Sequence, residues 1–322
     1  MKILITGVAG FIASRTAQLL LDRGVQVVGL DNLNDYYDPA LKHHRLALLK
    51  HHPGFQFVPG DIEHLDELRP LFVQDQFSTV FNLAARAGVR YSMENPHVYL
   101  ATNALGTLNL LELMREHGIS QMVLASTSSL YAGELSPFSE TLPVNTPISP
   151  YAASKKAAEA MTHSYHHLYG MNISIVRYFT VYGPAGRPDM CVFRFIKWID
   201  EGAPIQLAGD GTQSRDFTYV DDIAEGTIRA ARPLGFEVIN LGGGRESVTL
   251  LDLISRIEKL LGKQARIINE PFHKADVMET RADISKAKRL LDWEPQVGFD
   301  EGLRRSVEWY QANRDWVSHV RL

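Results

Sequence analysis

Lys2-Ile-Leu-Ile-Thr6-Gly7-Val-Ala-Gly10-Phe-Ile-Ala13 stands at the start of the chain and carries its strongest structural signal. The apolar run before Thr6 predicts a short buried strand, and the glycines after it predict a tight turn into a helix that reaches Arg23. Glycines at 7 and 10 let the turn close and let backbone amides approach a pyrophosphate, which then rests on the positive end of the helix dipole. Ala13 stands where a third glycine would pack helix on strand, a position that tolerates alanine. Val25-Gln-Val-Val-Gly-Leu30 predicts a second strand ending at Asp31, 24 residues beyond Gly7. A carboxylate there accepts hydrogen bonds from adenosine ribose hydroxyls and repels a 2′-phosphate, so the expected cofactor is NAD and not NADP.

The alternation continues as a parallel sheet demands. Phe55-Gln-Phe-Val58 leads to Gly60-Asp61-Ile62, Thr79-Val-Phe-Asn82 to Ala84-Ala85, and Gln121-Met-Val-Leu-Ala125 to the hydroxyl cluster Ser126-Thr127-Ser128-Ser129. Helices are expected over 63–74, 97–117 and 151–169, and a sixth strand at Ile173-Ser-Ile-Val-Arg177. The fold class is therefore α/β: a Rossmann-type doubly wound parallel sheet with a smaller C-terminal α/β substrate lobe. Ligands of such sheets lie beyond the carboxyl ends of the strands, which gathers Asp31, Asp61, Ala84, Ala85 and Thr127 around one crevice. Past Tyr178 the rhythm breaks at Pro184, Pro188 and Pro204. Residues 1–178 are expected to form the dinucleotide-binding domain, and 179–322 mainly the substrate domain. A segment near 215–240, containing Asp216-Phe-Thr-Tyr-Val-Asp-Asp222, returns to the first.

Composition narrows the function. Among 322 residues, 33 basic and 37 acidic side chains leave a net charge of −4, with no basic stripe for nucleic acid. Cys191 is the only cysteine, which excludes a disulfide framework and suits a reducing, cytoplasmic compartment. No apolar run is long enough to span a membrane, and Met1 leads into a strand in place of a leader, so no membrane partner is expected. His43, His44, His51, His52, His163, His166 and His167 lack an accompanying acid or cysteine set, so no metal site is expected.

Tyr151-Ala-Ala-Ser-Lys155 follows the hydroxyl cluster by 24 residues, counted from Thr127. Four residues along a helix put Lys155 on the face of Tyr151. A free phenol has a pKa of about 10, and bringing it toward neutrality takes roughly 4 kcal/mol of differential interaction for three units. The expectation is that a lysine ammonium and an oxidised nicotinamide ring supply it in a water-poor cleft.

Taken together, Gly7-x-x-Gly10, Asp31, Gly60-Asp61-Ile62, Asn103-x-x-Gly106-Thr107, the hydroxyl cluster, Tyr151-x-x-x-Lys155 and Arg215-Asp216-Phe217 resemble the extended short-chain dehydrogenases/reductases of the NAD-dependent epimerase/dehydratase type. The resemblance spans nearly the whole chain. Asp31-Asn-Leu-Asn-Asp-Tyr-Tyr-Asp-Pro39 and Tyr178-Phe-Thr-Val-Tyr-Gly-Pro184, followed by Gly186-Arg-Pro-Asp-Met190, are most similar to the UDP-glucuronate 4-epimerase branch. That resemblance implies NAD contacts extending to Phe11, Ile12, Asn32, Ile62, Asn103 and Tyr178. It implies a UDP-sugar substrate, UDP-glucuronate or UDP-galacturonate, oxidised at C4 with Tyr151 as base, directly or through Thr127, and with Lys155 holding the nicotinamide ribose and keeping Tyr151 ionised, so that both also contact NAD. The transient 4-keto sugar then turns and is reduced on its other face.

A 4-keto uronate is a β-keto acid and loses carbon dioxide readily. The resemblance implies a clamp for its carboxylate made of Thr180 and Arg187 with Ser128, and arginine suits the task because its planar fork matches a carboxylate. Related decarboxylases carry a glutamate two residues before the tyrosine numbered 131 here, and dehydratases carry aspartate then glutamate, whereas this chain has Ser128 and Ser129. Without an acid there, proton transfer at C5 or C6 lacks a catalyst. The resemblance also assigns Arg215 to the diphosphate and Asp276 to the uridine ribose, although His273-Lys274-Ala275-Asp276 departs from the arginine or proline-glycine of many relatives. A homodimer paired through the 97–117 and 151–169 helices is the expected assembly. A UDP-glucose or UDP-hexosamine 4-epimerase, a UDP-glucuronate decarboxylase and a non-catalytic NAD-binding protein are the alternatives.

Overall fold

The computed structural model describes residues 1–245, 247–272 and 276–322. Strands β1 (Lys2–Thr6), β2 (Gln26–Asp31), β3 (Phe55–Pro59), β4 (Thr79–Asn82), β5 (Gln121–Thr127) and β6 (Asn172–Tyr178) are joined by a seventh, Phe236–Leu241, in one sheet. Its order is Phe236–Leu241, β6, β5, β4, β1, β2, β3, and every pairing is parallel. The order reverses beside β1, so a crevice opens at the carboxyl ends of β1 and β4.

Alternate side chains of one strand point to opposite faces, and both faces are buried. Ile3 and Ile5 join Ala13 and Ala17 of α1 (Phe11–Asp22) in one core, which also takes Ile223, Ile239 and Trp293. Leu4 joins Leu68, Leu110 and Ala158 in the other, under the helices Leu65–Gln74, Gly106–Glu116 and Pro150–Tyr169. A third core, around Phe193, Phe195, Ile196, Leu253, Ile257 and Tyr310, builds the C-terminal lobe.

The chain does not pass once from lobe to lobe. Phe217–Tyr219 pairs with Thr180–Tyr182 away from the main sheet. The helix Val220–Arg229 then packs on α1, and Phe236–Leu241 closes the sheet edge beside β6. Further on, Ala282, Ile284, Leu291 and Trp293 return to the first core.

One ion pair inside the first lobe is almost wholly buried. The Glu159 carboxylate, on the Pro150–Tyr169 helix, receives Arg177 Nε and NH2 at 2.9 and 2.7 Å and the Ser126 hydroxyl at 2.6 Å. Arg177 NH1 donates to the Tyr131 hydroxyl at 2.8 Å, which donates onward to Asn240 Oδ1 at 2.8 Å. The network joins the ends of β5, β6 and the closing strand to that helix. Removing one partner strands the other charge in the core, at about 3–5 kcal/mol. Arg177→Leu should therefore lower the denaturation midpoint by that amount of stability, whereas Ser126→Ala, which deletes one hydrogen bond, should cost about 1 kcal/mol; denaturant unfolding of the two variants checks the ranking.

Candidate active site

Gly7 adopts φ +69°, and its Cα lies so close to the chain after β4 that a β-carbon would come within 2.7 Å of Ala84 Cα. Only glycine meets both demands without strain. The turn is fastened to the next strand: Gly7 N–H donates to Leu30 O at 2.7 Å, and Ala9 N–H to Asp31 Oδ2 at 3.0 Å. Leu33 N–H donates to Asp31 Oδ1 at 2.8 Å. Each Asp31 oxygen retains accepting capacity for a ribose hydroxyl. The first N–H groups of a helix have no intrahelical acceptor, and Phe11 and Ile12 line the cleft with Gly7 and Gly10. The residues present thus fit a dinucleotide pyrophosphate.

Asp61 receives Asn32 Nδ2 at 2.6 Å and Glu63 N–H at 3.0 Å, and lines the same cleft with Ile62, Ala84, Ala85 and Tyr178. Ala84 N–H donates to the Thr6 hydroxyl at 3.2 Å. Asn103 is placed differently from the other expected cofactor residues, one layer behind the cleft. Its side chain accepts Arg86 N–H at 2.9 Å and donates to Arg86 O at 3.0 Å and Ser154 Oγ at 2.9 Å. Asn103 therefore shapes the loop after β4 from behind.

Ser149-Pro150 sets the tyrosine. The Ser149 hydroxyl accepts Ala152 N–H at 3.2 Å and proline occupies the first turn, so the helix starts immediately before Tyr151. Lys155, one turn on, is 4% exposed and donates Nζ to Ala125 O at 2.9 Å. Burial pushes its ammonium down to about 8, with the Glu159 carboxylate acting in the opposite sense. Burial raises the Tyr151 phenol, while the Thr127 hydroxyl and the Arg187 guanidinium pull it back. Helical spacing places Lys155 on the side of the phenol; its ammonium also donates to a backbone carbonyl, and Arg187, on a distant loop, joins the Thr127 hydroxyl in lowering the phenol. Thr127 accepts Ser129 N–H at 3.1 Å, which leaves its O–H to donate toward the tyrosine. That bond makes Thr127 the cap of the short turn Ser128–Tyr131.

Ser128, Ser129, Thr180, Arg187, Arg215 and Asp276 line the same cleft of about 790 Å³. The Arg215 guanidinium donates NH1 to Ser214 O at 2.8 Å, and burial lowers its pKa against the pull of Cys191 and Asp276. Asp276 is paired with Arg90, NH2 to Oδ2 at 2.8 Å; His273, Lys274 and Ala275 lie outside the described residues. Several cleft residues escape a reading of the sequence. Tyr36 stands over Arg187, Asp189 grips it, and Arg194, stacked 4.4 Å over Trp198, faces the same space as Arg90 and Arg215. Arg90 and Arg194, on short helical stretches, carry no local pattern to mark them, and nothing local pairs Tyr36 or Asp189 with Arg187.

A doubly wound sheet that sets a half-buried tyrosine, a buried lysine and a threonine hydroxyl beside a dinucleotide turn is built to oxidise and reduce an alcohol carbon. The chain belongs to the NAD dependent epimerase/dehydratase family, whose sequence profile matches residues 3–242. It is 56% identical over 319 residues, 99% of each chain, to the UDP-glucuronate 4-epimerase of Thermodesulfobacterium geofontis. Its structure is similar to that of the Bacillus cereus UDP-glucuronic acid 4-epimerase in complex with UDP-glucuronic acid and NAD, with a TM-score of 0.92 and 39% identity over 97% of this chain and 100% of that one. It is also similar to the Thermotoga maritima UDP-glucose 4-epimerase with UDP-glucose, with a TM-score of 0.89 and 31% identity over 98% and 100%.

The lowered Lys155 pKa has a measurable sign. Unfolded, a lysine titrates near 10.5; folded, Lys155 titrates near 8, so between those values the unfolded chain holds a proton that the native chain has released. Stability contributed through this group rises with pH across that window. The stability of wild type relative to Lys155→Met should accordingly increase as pH is raised from 8 to 10, measured by denaturant unfolding of both proteins at each pH.

Proposed function

We propose that this protein interconverts UDP-glucuronate and UDP-galacturonate. Arg187 carries this reading: its guanidinium lies in the sugar end of the cleft, with Thr180 and Ser128 on the same walls, and acts electrostatically on Tyr151. A cation so near the reacting centre meets nothing on a neutral hexose and meets a carboxylate on a uronic acid. NAD, held by the Gly7-Gly10 turn, Asp31 and the wall from Asp61 to Ala85, accepts the hydride of C4 when bound and returns it.

Tyr151 takes the proton of the 4-hydroxyl, with Thr127 donating to the phenolate that this requires. Lys155 stands behind, held on Ala125 O and kept charged by Glu159. Thr180, Ser128 and Arg187 hold the sugar carboxylate so that its bond to C5 does not align with the C4 carbonyl π system. Serine at 128 and 129 offers no acid to move protons at C5. Arg215 holds the diphosphate, and Asp276, positioned by Arg90, the uridine ribose.

The activities of the relatives support this reading, as does the higher identity to the uronate enzyme of known structure than to the glucose one. We further infer a homodimer. Leu100, Leu105, Leu168 and Tyr169 are exposed on the helical layer that would form the contact. The unpaired Cys191 suits a cytoplasmic setting.

Incubated with UDP-glucuronate and no added reductant, the protein should give a product of unchanged mass that separates as UDP-galacturonate. A UDP-pentose with carbon dioxide as the only products would refute the assignment. Tyr151→Phe should lose roughly 10²–10⁴-fold in kcat, as expected on removing a general base, measured by the same separation. Light scattering should report about twice the 36.1 kDa chain mass.

A further inference from the structure

The guanidinium of Arg187 is already gripped. Asp189, two residues on, receives Nε at 3.0 Å and NH2 at 2.5 Å, a bidentate pair along one edge of the fork. The Tyr36 ring covers a face, its centroid 5.9 Å from the guanidinium carbon. Tyr36 can stand there because Gly88, at φ +109°, presents no β-carbon to its hydroxyl. The loop itself is fastened from behind by Arg45, which donates to Ala185 O at 2.7 Å and Gly186 O at 3.2 Å. One edge engaged, one face covered and the loop anchored leave the outer edge, made by the two terminal nitrogens, as the part of the fork still able to take a planar anion.

We propose that Asp189 is a positioning residue for the sugar carboxylate: it fixes Arg187 so that the outer edge of the fork meets the substrate, and it stays in place when the substrate binds. The proposal rests on the uronate reading above. Displacement of Asp189 by the substrate is disfavoured on two counts. The pair closes over two residues of one loop, so it re-forms at a high effective concentration. Its loss would also leave a partly buried carboxylate, 30% exposed, without its cation. With Asp189 in place, one cation stands between two carboxylates, and the substrate is held by direction more than by net charge. Released from Asp189, the guanidinium can follow the carboxylate as the sugar moves. The carboxylate then turns more easily into line with the C4 carbonyl, where carbon dioxide is lost.

Asp189→Asn, Asp189→Glu and Arg187→Ala, assayed beside wild type with bound NAD, test this. For Asp189→Asn we expect a KM for UDP-glucuronate raised roughly tenfold, the scale of one misaligned charge-assisted contact. Carbon dioxide released per epimerisation should rise several-fold, and affinity for UDP, which has no sugar carboxylate, should stay unchanged. Asp189→Glu should recover part of both effects, and Arg187→Ala should exceed them. A lower KM in Asp189→Asn would mean that Asp189 competes with the substrate, and it overturns the proposal, as does an unaltered KM and product ratio. Equal weakening of UDP binding would mark general damage to the lobe and also overturns it. Wild type inert toward UDP-glucuronate would sink the uronate reading and this inference together, whereas active wild type with an indifferent Asp189→Asn sinks only the inference.

Discussion

Arg45 is the contact on which the geometry of the cleft depends. Its side chain is 3% exposed, and a guanidinium so deeply buried must find acceptors for its N–H groups or forfeit several kcal/mol. It finds them on both sides of the crevice: Ala9 O in the glycine turn at 3.1 Å, Ala185 O and Gly186 O in the loop before Arg187, and the Tyr37 hydroxyl at 2.7 Å. The cofactor turn and the substrate loop, far apart in the chain, are thus registered against one rigid planar group. A shift of either wall would leave a buried charge or a buried carbonyl unpaired.

The second constraint is electrostatic. Burial alone favours neutral Tyr151 and neutral Lys155, so the site must recover charge from its surroundings. Glu159 does this for the lysine, and it can remain ionised in the core because Arg177 and Ser126 satisfy it. For the tyrosine the Thr127 hydroxyl, and after it Arg187, act against burial. In the proposed function the chemistry at C4 and the grip on the C5 carboxylate share that cation.

What was legible in the sequence follows the range of the interactions. The first strand, the glycine turn and α1 are encoded within a dozen residues, and the strand ends that carry Asp31, Asp61 and Thr127 follow from alternation and parallel pairing. The Asp31–Pro39 and Tyr178–Met190 strings stood out, yet nothing local said that Tyr36 of one would cover Arg187 of the other. Arg45 and Ala185 lie 140 residues apart, and no periodicity reports such a bond. Asn103 is a further case: nothing local said that its amide would bond the backbone of Arg86 and the Ser154 hydroxyl. The carbonyl partner of Lys155 was hidden for a similar reason, since helical spacing fixes the side of the helix and not which neighbour receives the ammonium.

The strand Phe236–Leu241 enters the main sheet after the chain has already visited the C-terminal lobe, and the segment from Ala282 to Trp293 comes back again. Neither lobe is a contiguous cassette. A cut at any one point would leave a sheet without its edge or a lobe without part of its core, so the substrate half cannot be exchanged as a block for that of a relative. On this topology a change of ligand is reached most simply through single residues on loops such as 183–190, which leaves the interwoven lobes as one piece.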